Sequence, residues 1–309
     1  MGKHIPVLLD EVIEGLNINP NGIYFDLTLG RGGHSKEILK RLKNGHLYGV
    51  DQDETALKES KVNLKDYLDK VTFVHSNFSQ FREILDQYHI DYVDGVLMDL
   101  GVSSPQFDDG SRGFSYKEDA PLDMRMDRDN NPITASQIVN EYSFEELLRI
   151  FREYGEDHFS YQIAKNIVKE RELHPIETTF QLVEIIKKSK PQKELKKAGH
   201  PAKQIFQALR IEVNNELEVL KIAIKDAIEA LRPNGGRLAI ITFQSLEDRI
   251  VKNVFKDMTV VIGNRYDDGQ RLEEKEYRLV NNKPITASEE ELENNNRAHS
   301  AKLRIIERK

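Results

Sequence analysis

The chain has no cysteine in 309 residues. Disulfides and thiolate metal sites are therefore excluded, and nothing favours an oxidising compartment. No apolar run reaches the roughly 18 residues that a membrane span needs. The N-terminus lacks a basic region followed by an apolar stretch, so no signal peptide is read there. Pro6 stands where an N-myristoylation pattern needs Ser or Thr. A cytoplasmic location is expected, with no membrane partner. No metal-ligand spacing is present, and no metal site is expected. Positive charge is also in deficit, since the net charge is −7, which by itself argues against a nucleic-acid binder. What is present is 39% hydrophobic and 31% charged residues. That is the composition of a globular protein with a real core, long enough for two domains or one large one.

The organising stretch runs from residue 23 to residue 51. An apolar segment (residues 23–29) leads into Gly30-Arg31-Gly32-Gly33-His34-Ser35, then a helical run and a second apolar strand ending at Asp51. Glycine lacks a Cβ, so such a turn bends tightly and its backbone can touch a ligand. The following helix N-terminus offers N–H groups beside it. An acid at the tip of the second strand, about twenty residues after the first glycine, can accept hydrogen bonds from ribose hydroxyls. The reading is a site for an adenosine-containing cofactor. The dinucleotide fingerprint ends in Gly or Ala, whereas Ser35 stands here, so S-adenosylmethionine fits at least as well. The bland alternative is an ordinary glycine loop of an α/β protein.

Strands are further expected at residues 71–75, 93–100 and 237–243, alternating with helices, and a last pair at 259–262 and 301–307. Asp10 and Ser245 are read as helix caps, and residues 266–293 as a charged loop. Strand–helix alternation implies a parallel sheet with its ligands at the carboxyl ends of the strands. Asp51, Phe78 and Asp99 all fall at such ends and would converge on one crevice. Between residues 134 and 190 the pattern is helical, too long for a loop in a compact domain. The expected layout is thus a discontinuous core (residues 1–107 and 215–309) interrupted by a helical substrate-recognition domain (residues 108–214). Residues 187–210 hold eight basic side chains and one acid, a net +7 on an otherwise acidic chain. Such a patch is the footprint of a polyanion site, or else a solvated helix face.

Several motifs occur in order along the chain. They are His4-Ile5-Pro6-Val7-Leu8-Leu9, Asp26-Leu27-Thr28-Leu29-Gly30-Arg31-Gly32-Gly33-His34-Ser35 and Asp99-Leu100-Gly101-Val102-Ser103-Ser104-Pro105-Gln106. Arg112-Gly113-Phe114-Ser115, Pro121-Leu122-Asp123-Met124-Arg125-Met126, His200-Pro201-Ala202-Lys203 and Arg210-Ile211-Glu212-Val213-Asn214 follow. Ser245-Leu246-Glu247-Asp248-Arg249 and Ser300-Ala301-Lys302-Leu303-Arg304 complete the set. With these the chain resembles the bacterial methyltransferases that modify the N4 amine of a cytosine in the decoding region of 16S ribosomal RNA, the MraW or RsmH type. Gln244 departs from the usual His, and Asn296 from an expected Pro.

The resemblance implies a Rossmann-like S-adenosylmethionine-dependent methyltransferase core with a mostly parallel twisted sheet and an inserted all-helical domain. It implies a cofactor site at Gly32, Gly33, His34, Asp51, Phe78, Asp99 and Gln106. The substrate partner would be 16S rRNA in the small ribosomal subunit, and a homodimer is compatible with the sequence. The Asp/Asn/Ser-Pro-Pro-aromatic motif of many amino-methyltransferases is missing. Asp99, or an acceptor from Ser103 and Ser104, is therefore expected to orient the amine. Phe107, Phe114 and Tyr116 are candidates to stack on the base. Lys193, Lys196, Lys197, His200 and Lys203 are candidate RNA contacts. The alternatives are a DNA cytosine-N4 or adenine-N6 methyltransferase, a dehydrogenase, or a non-catalytic RNA-binding protein.

Overall fold

The computed structural model describes residues 5–100, 110–259 and 276–309. By its internal contacts the chain forms two compact units, residues 1–102 with 219–309, and residues 103–218. These cuts lie a few residues from the boundaries read in the sequence.

The first unit holds a seven-stranded sheet in the order β3-β2-β1-β4-β5-β7-β6. Its strands are β1 (Ile23–Asp26), β2 (His46–Asp51), β3 (Val71–His75), β4 (Gly95–Asp99), β5 (Arg237–Thr242), β6 (Tyr277–Leu279) and β7 (Lys302–Arg308). The first five pair in parallel, and β7 is antiparallel to both β5 and β6. The doubly wound sheet expected from the alternation of periodicities is present. One face is covered by α4 (Phe81–Gln87), α11 (Glu216–Glu229) and α12 (Ser245–Thr259), through Phe81, Ile84, Ile224, Ile228, Val251 and Phe255. The other is covered by α1 (Leu9–Leu16), α2 (Gly33–Arg41) and α3 (Glu54–Asn63), through Val12, Leu16, Ile38, Leu39 and Leu57. Strand order reverses between β1 and β4, and such switch points carry the ligand crevice at the carboxyl ends.

The structure corrects four local expectations. The sixth strand is not at 259–262: Thr259 ends α12, residues 260–262 lie outside the described residues, and β6 is Tyr277–Leu279. The stretch read as a charged loop therefore holds a strand, and also a short helix, α13 (Glu289–Asn294). Helix α12 begins at Ser245 itself, and the group that reaches back over its start is Glu247, whose Oε2 accepts from the N–H of Phe243 and Gln244. Asp10 lies inside the first turn of α1, whose cap position is Leu8 in the left-handed region.

The second unit is helical: α5 (Ala135–Glu141), α6 (Phe144–Glu153), α7 (Ser160–Arg171), α8 (Thr179–Lys188), α9 (Gln192–Leu195) and α10 (Lys203–Asn214). Three of these start with a complete capping box, Thr134 with Gln137, Ser143 with Glu146 and Thr178 with Gln181. Each box satisfies two N–H groups that a helix start leaves unpaired. Amphipathic faces converge on Ile138, Leu147, Ile150, Phe151, Ile163, Ile186, Phe206 and Leu209, a core separate from those of the sheet. Among the described residues no helix is long and apolar enough to cross a membrane.

Candidate functional site

The β1–α2 turn is built from its own backbone. Gly30 and Gly32 have φ of +51° and +76°, values that a side chain disfavours. Gly32 caps α2, so the N–H groups of Gly33, His34 and Ser35 in the first turn have no helical acceptor. Gly33 is glycine for a different reason. A Cβ there would lie 2.5 Å from Pro6 Cγ. The His34 ring is buried, with Nε2 2.8 Å from the Val7 carbonyl. The segment after His4 thus straps the turn, and it is itself held by Leu8 N–H donating to Glu291 and Asn295 donating to the Ile5 carbonyl.

Asp51 sits at the end of β2, half-buried. Its Oδ2 accepts from Gly30 N–H at 2.8 Å and its Oδ1 from Asp53 N–H at 2.9 Å. The spacing noticed in the sequence is thus closed by a hydrogen bond. A carboxylate offers about four lone-pair sites, so both oxygens can accept again, as a ribose diol requires. Burial raises the Asp51 pKa, against the lowering effect of the backbone donors. Phe78 opens a short 3₁₀ turn after β3, capped by Asn77, and its half-buried ring packs against the core. Asn77 donates to Gln52 at 2.7 Å, which fastens this turn to the end of β2.

Asp99 ends β4, and its N–H donates to Thr28 Oγ1 at 2.6 Å. Thr28 N–H donates to Asp26 Oδ1 at 3.2 Å, and Ser35 Oγ donates to Asp26 Oδ2 at 2.7 Å. This network joins β1, α2 and β4 across the switch point. Sequence reasoning gives Asp26 no role of its own, although it closes the first strand just ahead of the glycine turn. It is buried with no ion pair among the described residues, and burial pushes its pKa up to about 6. The network also explains Ser35. Where the dinucleotide fingerprint needs a third small residue for close helix–strand packing, this fully buried serine makes the joint by a hydrogen bond.

The cradle fits S-adenosylmethionine: a turn with N–H groups and no side chain at its glycines, an acid with lone pairs left for a diol, and a ring at the next strand end. Ser103, Ser104, Gln106 and Phe107 lie outside the described residues. No cluster of His, Asp or Glu suited to a metal ion occurs among those described.

In the helical unit the basic segment divides. The Lys190 side chain is buried, 2.5 Å from Asp157, and also donates to the Pro201 carbonyl. Arg210 forms a two-point pair with Glu216. Both are fasteners and leave the patch counted in the sequence. Lys187 pairs with Glu184, and Lys197 with Glu194, at the surface. Lys193, Lys196 and Lys203 are exposed, with no ion pair among the described residues. Phe114 is buried in the core of the unit, with the Arg112 guanidinium over its ring, so it is not placed to stack on a base. Tyr116 stacks on His200.

The family model for the MraW methylase family matches residues 1–309. The chain belongs to that family. It is 52% identical over 312 residues to a ribosomal RNA small subunit methyltransferase H of Mesoplasma florum, covering all of both chains. It is also 52% identical to a protein of the same name from Streptococcus dysgalactiae, over 99% of this chain and 97% of that one. Among solved structures, an rRNA methylase from Streptococcus thermophilus aligns with 99% of this chain and 98% of its own at 12% identity, with a TM-score of 0.43, too distant to argue from. The cofactor of this methylase is S-adenosylmethionine, and the strand-tip cradle is its candidate site.

Proposed function

We propose that this methylase transfers a methyl group from S-adenosylmethionine to the N4 amine of a cytosine in the decoding region of 16S rRNA, in the small ribosomal subunit. The observation that carries the reading is that Gly30, Gly32, Asp51, Phe78 and Asp99 follow or end the four adjacent parallel strands β1 to β4, which include the switch point, with Gly30 bonded to Asp51. The full-length relatives named for small-subunit rRNA and the exposed lysines of the helical unit support RNA as the substrate.

S-adenosylmethionine, when bound, would supply an electrophilic methyl carbon, its bond to sulfur breaking as the new N–C bond forms and S-adenosylhomocysteine leaving as a neutral thioether. Asp51 would accept hydrogen bonds from the ribose diol, the Phe78 ring would lie against the adenine, and the N–H groups of the Gly32–Gly33–His34 turn would hold the methionine end. The base must be unpaired to reach Asp99. The cytosine N4 lone pair is delocalised into the ring, so the amine is a weak nucleophile. Asp99 would accept one amine hydrogen and so orient the group for attack on the methyl carbon. The NH₂ becomes NH–CH₃, and the released proton passes to the Asp99 carboxylate and on to solvent. Positioning and charge placement supply most of the acceleration. Thr28 fixes the Asp99 backbone, and Asp26 in turn fixes Thr28. Ser103 and Ser104 are further acceptors on sequence grounds, and Gln106 a further cofactor contact.

The test is transfer of labelled methyl to small subunits from cells lacking this protein, with the modified nucleoside identified by mass spectrometry. N4-methylcytidine at one decoding-region position is expected. Methylation of another atom, or of DNA in preference to subunits, would overturn the reading.

A further inference from the structure

The Tyr116 and His200 rings lie face to face, 4.3 Å between centroids and 10° between planes. Tyr116 is the inner ring. It packs against the core of the helical unit and meets the buried Phe206 edge-on at 5.8 Å. His200 is half-exposed and has no further ring contact among the described residues. Its imidazole is pinned, since Nδ1 accepts from Ala202 N–H at 3.2 Å. That bond leaves the ring proton on Nε2. Exposed lysines lie nearby in sequence on both sides, Lys117 beside Tyr116 and Lys196, Lys197 and Lys203 around His200. Burial, then Lys187 and Lys117, hold the His200 pKa below its ordinary value, which disfavours the imidazolium. A neutral imidazole is a poor partner for phosphate. A flat, backed ring amid lysines is instead what an unpaired base stacks on while its backbone meets the cations.

We propose that the Tyr116–His200 stack is a platform for one unpaired base of the substrate RNA, with His200 as the contacting ring, Tyr116 as its support and the surrounding lysines holding the adjoining phosphates. The proposal deepens the rRNA reading and rests on it. It gives His200, a candidate RNA contact from sequence, a base rather than a phosphate as its partner.

The experiment measures binding of the full-length protein to unmodified small subunits over a range of salt concentrations. The variants are His200→Ala, His200→Phe and the triple Lys193→Ala/Lys196→Ala/Lys197→Ala, each first shown to melt like the parent. Base–aromatic stacks removed by alanine correspond to roughly a tenfold loss or more. His200→Ala is expected to weaken binding about tenfold with an unchanged salt slope, and His200→Phe, which keeps a flat ring, to restore it. The lysine triple is expected to flatten the slope. If His200→Ala binds like the parent, the platform is refuted. If it flattens the slope and phenylalanine does not rescue, His200 touches phosphate and the stack proposal fails. If the parent itself neither binds nor methylates the subunits, the rRNA reading falls and the platform with it.

Discussion

The strand tips of the sheet and the lysine segment of the helical unit treat buried charge in opposite ways. Asp26 and Asp51 are satisfied by neutral donors, the N–H groups of Thr28, Gly30 and Asp53 and the Ser35 hydroxyl. Neither has a cationic partner among the described residues, and burial raises both pKa values. In the helical unit Asp157 is matched by Lys190 and Glu216 by Arg210. Of the two strand-tip acids, the half-buried Asp51 keeps lone pairs available to a ligand, while Asp26 is a joint made by hydrogen bonds alone and the acids of the helical unit are joints closed by a cation. The difference separates site from scaffold better than the residue types do, since both regions are rich in charge.

The comparison is tested most severely at Lys190. Its side chain is 7% exposed and that of Asp157 1%. Lys190→Ala leaves a buried carboxylate unpaired, which costs about 3–5 kcal/mol. A drop of that size in urea-unfolding free energy is expected. A Lys190→Met/Asp157→Leu double variant should recover most of it, because apolar replacement of a whole buried pair is close to neutral. Asp99→Ala is expected to act on the chemistry. Methyl transfer should fall by about 100- to 1000-fold, the scale seen when one preorganised polar group is removed, with the melting temperature held. Full turnover with unchanged cofactor affinity would remove Asp99 from the mechanism.

Much of the core is legible because hydrophobic periodicity and strand-end acids are local signals. The spacing of Gly30 and Asp51 is legible, but the hydrogen bond that joins them is not. β6 cannot be found that way. It has three residues and is an edge strand, tied to β7 by Arg278 on Glu307 at 2.6 Å as well as by the ladder. The β-branched run at 259–262 has more of a strand's character, but its first residue completes α12. The capping boxes at Thr134, Ser143 and Thr178 are legible as Ser or Thr followed three residues on by Gln or Glu. The fate of the cations is not legible. Nothing near Lys190 in sequence reveals a partner 33 residues away, and local charge counting credits the patch with two fasteners. The bond of the His34 ring to the Val7 carbonyl is equally illegible, since 27 residues separate the two.

The raised pKa of Asp26 gives the sheet side of the comparison a pH signature. A carboxyl at 3.8 unfolded and about 6 folded favours the native state fully below pH 4, and that contribution is lost as pH rises through 6. The shift corresponds to about 2–3 kcal/mol. Asp26→Asn keeps the shape and cannot ionise. Relative to the parent, the variant should therefore gain stability between pH 4 and pH 7, as followed by urea unfolding at fixed ionic strength. Parallel curves for the two proteins would show that Asp26 is ionised in the fold at an ordinary pKa.

The smallest effect in free energy is expected where exposure is greatest. Lys193, Lys196 and Lys197 are solvated, and only Lys197 has an ion pair among the described residues, with Glu194 at 2.8 Å. Removing all three should leave unfolding free energy within about 0.5 kcal/mol of the parent, as is usual for surface positions. RNA binding should weaken by roughly an order of magnitude. Each single-strand phosphate that is no longer neutralised flattens the dependence of log K on log salt by about 0.7, so three of them amount to about 2. The contrast with Lys190→Ala is then complete, since one buried lysine governs stability with no salt signature and three exposed ones govern salt dependence with little effect on stability. Equal salt slopes for the parent and the triple variant would turn this segment away from RNA and leave the net +7 of residues 187–210 as a solvated face.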